Sequence, residues 1–462
     1  MDAKLSHDLT HLDALLARTL AHAIDALDSV ERRPPAVAPA AAVFEPLPEH
    51  GAGLEGALAE FNARWAPGFS GSAGPRYLGF VTGGATPASI AGDWLTSVYD
   101  QNPTAGIDSC APDLERETVE RLRQLFGLSA AQRGVMVSGA TMSNFAGLAI
   151  GREWLGEVRG VSVAEAGLHA LPPVHVLSGA PHSSIYKALS MLGIGRKSVH
   201  ILPTLAGREA VDLVALEAAL ERLQGEPVIV VANAGTVNTV DFDDLEAIAA
   251  LKSRYAFWLH VDGAFGAFAA LSPEHAALVA GIDAADSICI DLHKWLNVPY
   301  DAAVQFSRRR DLQVRVFQNS AAYLGAPGDN PDFVHLTPEN SRRLRALSTW
   351  FALAAYGRAG HAEIVERNIR LARQLGERIA ALPGLTLLAP TRLNVVCFTL
   401  AEHPTEARVN AFMRAVRDRG DVFVTSTVYA GTWALRAAFS NWRTSERDVE
   451  RIAESLALTS AA

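Results

Sequence analysis

Apolar residues recur at helical spacing through the first thirty positions, at Leu5, Leu9, Leu12, Leu16, Leu20, Ala23, Leu27 and Val30. The spacing predicts one amphipathic helix ending before Pro34 and Pro35. Its stripe needs a surface to cover, either the core of its own chain or a second subunit. The Pro- and Ala-rich stretch ERRPPAVAPAAAVFEP then reads as an extended connector. From about Gly134 to Ser307 the pattern changes to short β-branched runs, GVMVSG, VHVLSG, VIVVANAG, FWLHVDGAF, SICIDLHKW and AAVQFS, with helical segments such as MSNFAGLAIGREWLG and SSIYKALSML between them. Strands joined by helix-length crossovers imply an α/β domain with a largely parallel sheet covered on both faces.

A Gly/Asn/Pro-rich stretch, 321–341, interrupts this alternation and is long for a connector, which predicts a mobile lid. A helix is expected from Arg342 past Trp350. Beyond it LTLLAP and LNVVCFTL read as strands, Ala411–Arg417 as helix, VFVTST and WALRAAF as strands, and the end as a helix from near Thr444. The expected organisation is a helical segment over 1–75, a large domain over 76–345 and a smaller α+β domain over 346–462.

Composition narrows the function classes. The 462 residues are 49% hydrophobic and 20% charged, which excludes a disordered or fibrous chain. A net charge of -9 repels phosphate backbones and anionic lipid, so neither nucleic acid nor a membrane is expected as a partner. No run approaches the roughly 18 apolar residues of a membrane span, and the acidic, His-containing start is unlike a signal peptide. Cys110, Cys289 and Cys397 are too scattered for a disulfide framework or a zinc site. A reducing cytoplasm and no metal are expected.

Chemistry-bearing residues fall within or just after the apolar runs, where ligands of open α/β sheets bind. Lys294 ends a strand in IDLHKW. Burial disfavours its charged form, and a nucleophilic amine there can form a Schiff base with an aldehyde cofactor. Asp262 follows FWLHV about one strand-helix-strand unit earlier, and pyridoxal phosphate needs such a carboxylate near its ring nitrogen. The turn SGATMSN brings small residues to a helix N-terminus, where backbone N–H groups and the helix dipole favour an anion. It lacks a P-loop Lys and a GxGxxG pattern, which weakens nucleotide readings. His182, after another strand, is placed to stack on an aromatic cofactor. Each residue alone has an ordinary explanation: a solvated Lys, a turn-capping Asp, a structural His, a bare N-cap. Their joint placement on one rim is what points to chemistry.

Most of the chain, from YLGFVTGGATPASIAGDWLTS to LRAAFSNWRTSERDVERI, resembles the group II pyridoxal-phosphate-dependent decarboxylases, which include the aromatic amino acid, glutamate, cysteine sulfinate and diaminobutyrate enzymes. HVDGAFGAF (260–268) and DSICIDLHKWLN (286–297) carry the resemblance most specifically. It implies an aspartate-aminotransferase-like, fold type I architecture and a homodimer with the active site at the interface. It further implies that Lys294 bears pyridoxal 5'-phosphate, Asp262 pairs with the ring nitrogen and His182 stacks on the ring. Gly139, Ala140 and Thr141 would cradle the phosphate with Asp291 and His293 nearby. Thr236 and Ala264 would lie against the cofactor, and Ser341 and Arg342 would reach the neighbouring subunit's phosphate.

The implied activity is decarboxylation of an L-amino acid. The alternatives on the same carbanion chemistry are aldol cleavage and decarboxylating aldehyde synthesis, and a non-catalytic cofactor-binding scaffold is the rival of another class. Three departures bear on this: Asp291 stands where many members have Asn, Gly263 replaces an Ala, and the 321–341 loop is short and has no evident counterpart of the family's loop Tyr. His335, with Tyr323 as fallback, is the loop's candidate proton donor. Phe80, Thr82 and Pro87 are expected on the substrate side, with Gly79 where aromatic decarboxylases carry a bulky ring.

Overall fold

The computed structural model describes residues 1–41, 43–319, 328 and 330–461. Its first sheet comprises β1 (Arg133–Val137), β2 (His175–Ser178), β3 (Val199–Ile201), β4 (Val228–Asn233), β5 (Trp258–Asp262), β6 (Ser287–Asp291) and β7 (Ala303–Ser307) in the order β1-β7-β6-β5-β4-β2-β3. The six runs read as strands are all strands here. β4, β5 and β6 are buried along their whole length, as expected of strands covered on both faces. β7 alone runs antiparallel, to both β6 and β1. Only eleven residues separate it from β6, too few for a helical crossover, so the chain returns beside its predecessor. The sequence pattern does not mark β3, because VHI is three residues long and largely solvent-facing at the sheet edge.

A second, wholly antiparallel sheet is formed by β8 (Leu385–Leu387), β9 (Val395–Leu400), β10 (Thr425–Tyr429) and β11 (Thr432–Ala438), in the order β10-β11-β9-β8. Helices Glu406–Arg419 and Glu446–Ser460 cover it, giving the smaller C-terminal α+β unit. Tyr77 bridges Phe423, and Leu78 packs into this second core, so the chain before the first sheet is tied to the second. Architecture and class are those expected of the fold type I arrangement.

Three local expectations change. The N-terminal stripe is divided between helices Ala3–Thr10 and Leu12–Asp28, broken at His11, whose ψ of 22° leaves the helical region. The helix expected from Arg342 begins at Ala346 and runs to Ala380, with a non-helical break at Gly357 (φ 57°). Arg342 instead enters the core, where its guanidinium meets Glu115 at 2.9 Å with both side chains fully buried. It therefore does not reach toward a neighbouring phosphate.

The lid expectation also divides. Residues 320–327 and 329, including Tyr323, lie outside the described residues. Phe333, Val334, His335 and Leu336 are buried, held by Val334 N–H donating to the Thr104 carbonyl (3.1 Å) and the Gln313 amide donating to the Leu336 carbonyl (2.8 Å). This half of the stretch contributes to the core because it carries its own apolar side chains. His335 accepts from the Asn319 N–H at Nδ1 (3.1 Å) and is not presented to the cleft.

Removing one member of a buried ion pair strands the other charge. Arg342→Met should lower the unfolding free energy by about 3–5 kcal/mol in urea titrations. A loss below about 1 kcal/mol, the range of an exposed pair, would contradict the pairing.

Candidate active site

The carboxyl ends of β2, β4, β5 and β6 open on a cleft of about 270 Å³ lined by Ala140, His182, Thr236, Asp262, Ala264, His293 and Lys294, all expected from the sequence. Lys294 sits in the short helix Leu292–Trp295 directly after β6, its Nζ 3.4 Å from Asp291 Oδ2 and 5.4 Å from the centre of the Phe265 ring. His293 Nδ1 accepts the Ala302 N–H (3.3 Å), which assigns the ring proton to Nε2, 3.2 Å from Asp291 Oδ1. Burial opposes ionisation of Asp291, but Lys294 and His293 outweigh it and hold the carboxyl below its ordinary pKa. Asp291 is thus turned to two cationic or proton-bearing groups as their counter-ion.

β5 presents Trp258, His260 and Asp262 on one face, as the two-residue period of a strand requires. Asp262 Oδ2 accepts from the Asn144 amide (3.0 Å) and Oδ1 from the Ala264 N–H (3.2 Å). His182 caps helix Ser183–Met191, its Nδ1 accepting from Ser184 N–H at 3.2 Å. Its ring remains open to the cleft, yet the surrounding protein desolvates it and lowers its pKa against the pull of Asp262.

The helix Ala140–Glu157 points its N-terminus into the cleft. Gly139 precedes it, His293 lies 3.3 Å from where a Gly139 Cβ would be, and no side chain caps the helix. Gly139 and Thr141 are close to the cleft wall without lining it; Ser341 is exposed and away from it. Thr236 lines the cleft, but its hydroxyl is committed, donating to Glu209 (2.6 Å) and accepting from Asp241 N–H (2.9 Å).

On the outer side, Phe80 (φ 58°) and Val81 (φ 111°) hold left-handed backbone conformations that such residues rarely adopt, and Thr82 Oγ1 lies 3.2 Å from the Tyr300 hydroxyl. Phe80 and Tyr300 line the cleft; Pro87 opens the next helix away from it. A Cβ at Gly79 would lie 2.4 Å from the Phe423 ring, so Phe423, just before β10, supplies the aromatic bulk at that point. Sequence reasoning missed Arg436, which enters the cleft from β11 with its Nη1 donating to the Val237 carbonyl (2.5 Å). A mostly buried Arg in the apolar strand WALRAAF was the available signal. It also missed Asn144, Ser184 and His260.

An amine, a hydrogen-bonded carboxylate, an imidazole and an uncapped helix N-terminus therefore share one cleft, which suits a phosphorylated pyridine aldehyde. The profile described as "Pyridoxal-dependent decarboxylase conserved domain" matches residues 44–401. The chain belongs to the pyridoxal-dependent decarboxylase family. It is 28% identical over 391 residues to an aromatic-L-amino-acid decarboxylase of Bacillus atrophaeus, covering 82% of this chain and 79% of the other. An L-2,4-diaminobutyrate decarboxylase of Rhizobium meliloti (strain 1021) is 28% identical over 436 residues, covering 90% and 84%. The crystal structure of Oryza sativa TDC with PLP and tryptamine superposes with a TM-score of 0.90 at 22% identity, over 98% of each chain. This pyridoxal-dependent family member uses pyridoxal 5'-phosphate as its cofactor.

The depressed pKa of Asp291 makes a signed prediction. Its stabilisation is present above the carboxyl's ordinary pKa of 3.8 and is lost as pH falls through the lower folded value. Asp291→Asn should be less stable than wild type at neutral pH, with the gap narrowing in acid. Denaturant midpoints measured across that range check this, and a gap that widens as pH falls would contradict it.

Proposed function

We propose that this protein releases CO₂ from an L-amino acid, with Lys294 as the covalent anchor of the cofactor. Asp262 faces the ring nitrogen, His182 the ring, and the N-terminus of helix Ala140–Glu157 the phosphate. The observation that carries this reading is the convergence of Lys294, Asp262 and His182 on one cleft. Bound there, pyridoxal phosphate supplies an electron sink for the pair left when the carboxylate departs.

The chain's own groups have distinct tasks. Asp262 holds a proton on the ring nitrogen by remaining an acceptor in a dry, hydrogen-bonded position. Asp291 keeps a counter-charge beneath the Lys294 amine, so that group stays within the cleft when not engaged. Lys294 is the one lysine among the described cleft residues, which makes it the group able to move a proton to or from the substrate's α-carbon. Arg436 lines the cleft from β11, its Nη1 bonded to the Val237 carbonyl, and its guanidinium suits a carboxylate of the substrate. The aromatic faces of Phe80 and Tyr300 border the remaining space.

Purified protein mixed with a panel of L-amino acids should evolve CO₂ and the matching amine. Assaying aldehyde and ammonia in the same reactions distinguishes decarboxylation from its alternatives. Lys294→Ala should abolish turnover and the visible absorbance of the Lys-bound cofactor. Asp262→Asn should slow turnover on the order of 10²-fold or more with the fold intact. Unchanged rates in either variant would overturn the assignment.

The assembly proposed is a homodimer with the active site at its interface, in the reducing cytoplasm that three free thiols suit. Among the described residues no helix is long and apolar enough to cross a membrane. Leu5, Leu9, Leu12, Leu16, Leu20 and Ile24 are each at least 43% exposed along the N-terminal helices, an apolar face that a second copy would cover. Replacing Leu9 and Leu16 together by Glu should shift sedimentation toward monomer. A variant that remains dimeric at the wild-type dissociation constant would remove this face from the interface.

A further inference from the structure

Beneath the cleft lies a buried polar chain that the assigned chemistry does not use. The Trp258 indole can only donate, and its Nε1–H points to Ser287 Oγ at 3.0 Å. At the far end the Asp262 carboxylate can only accept, so the Asn144 NH₂ faces it, Asn144 Oδ1 accepts from His260 Nε2, and the Ser287 hydroxyl donates to His260 Nδ1, 2.8 Å away. That leaves the His260 proton on Nε2, which donates to Asn144 Oδ1 at 2.9 Å. With its oxygen so engaged, Asn144 turns its amide NH₂ outward. One N–H reaches Asp262 Oδ2 and the other Ser184 Oγ, each at 3.0 Å. Ser184 then donates to His182 Nδ1 at 2.8 Å.

Every donor and acceptor runs in one direction, from the indole to the carboxylate and the imidazole. His260 and Asn144 are both 0% exposed, so water cannot replace a lost partner. Burial drives the His260 pKa down to about 4 against the pull of Asp262, so the ring stays neutral and keeps its tautomer across physiological pH. The approach of helix Ala140–Glu157 is shaped for this contact, since a Cβ at Gly147 would lie 2.8 Å from the His260 ring.

We propose that Asn144, oriented by His260, is a positioning residue that locks Asp262 and His182 into one rigid unit facing the cofactor. The two groups that would touch the ring are thereby fixed relative to each other by a single amide, whose two N–H groups serve one each. The inference rests on the cofactor placement proposed above. That placement has its own check, because Asp262→Asn alone must weaken cofactor binding if Asp262 faces the ring.

The test uses the full-length protein and pyridoxal 5'-phosphate itself. Asn144→Leu keeps the volume and removes both donors. Hydrogen bonds to charged groups are worth enough that its cofactor dissociation constant should rise about 10- to 100-fold. The induced circular dichroism of the bound cofactor should change with it. In a double-mutant cycle, Asn144→Leu should cost less in the Asp262→Asn background than in wild type, because one of its two N–H limbs acts through that carboxylate. Ser184→Ala cuts only the His182 limb and leaves the core intact, so it should change the induced dichroism while the melting temperature of the cofactor-free protein stays near wild type. Native affinity and dichroism in Asn144→Leu, full additivity with Asp262→Asn, or a native spectrum in Ser184→Ala would each overturn the proposal. Should Asn144→Leu fail to fold, the Ser184→Ala spectrum decides alone.

Discussion

Asp262 is 6% exposed at the end of a central strand, and a carboxylate so placed is tolerable only with hydrogen-bond partners at fixed positions. Much of the site follows from meeting that requirement. The strand period sets Trp258, His260 and Asp262 in a row on one face of β5. The helix Ala140–Glu157 must then lie close enough to bring Asn144 to the row, which Gly147 and Gly151 permit where it crosses His260 and Trp258. The same helix carries its uncapped N-terminus into the cleft. One packing contact thus sets both the carboxylate end and the anion-binding end of the site.

The opposite wall depends on how the two sheets meet. Arg436 reaches the cleft from β11 and bonds the Val237 carbonyl, while Asn238 of the same turn donates to the Val428 carbonyl (3.2 Å) and accepts from the Thr427 hydroxyl (2.7 Å). Glu209 braces this turn from below, accepting from Thr236, Asn238 and Thr239. Phe423 packs against Tyr77 and fills the space that a side chain at position 79 would need. The shape offered to a substrate is therefore set jointly by both sheets. The long helix Ala346–Ala380 joins them and departs from helical geometry at Gly357 (φ 57°).

Charge in the cleft is arranged in two tiers. Lys294 and His293 share the buried Asp291, whereas Arg436 bonds a backbone carbonyl rather than a carboxylate. The first tier is internally balanced and stays with the protein. The second is held by a hydrogen bond from Arg436 Nη1 to the Val237 carbonyl.

Features carried by residues adjacent in the chain are legible from the sequence by itself. β-branched runs bounded by helical segments determine the parallel sheet, because each strand's burial is written in its own side chains. Lys294, Asp262 and His182 each follow such a run, and strand ends in this class of sheet share a rim. What decided the rest was contact between distant segments. Asn144 meets His260 and Asp262 across more than a hundred positions, and nothing local marks a mid-helix Asn as a partner of a strand His. The sequence marks Thr236 as a cleft residue, but only the fold shows its hydroxyl spent on Glu209. Arg342 reads from the sequence as reaching a neighbouring phosphate and His335 as the loop's proton donor, but tertiary packing buried them beside Glu115 and the Asn319 N–H. Local pattern thus determined which segments become strands and helices and which residues end at the rim. Partnership, orientation and the direction of each hydrogen bond were decided only when those segments packed, since a polar group's energy depends on the groups opposite it rather than on its neighbours in the chain.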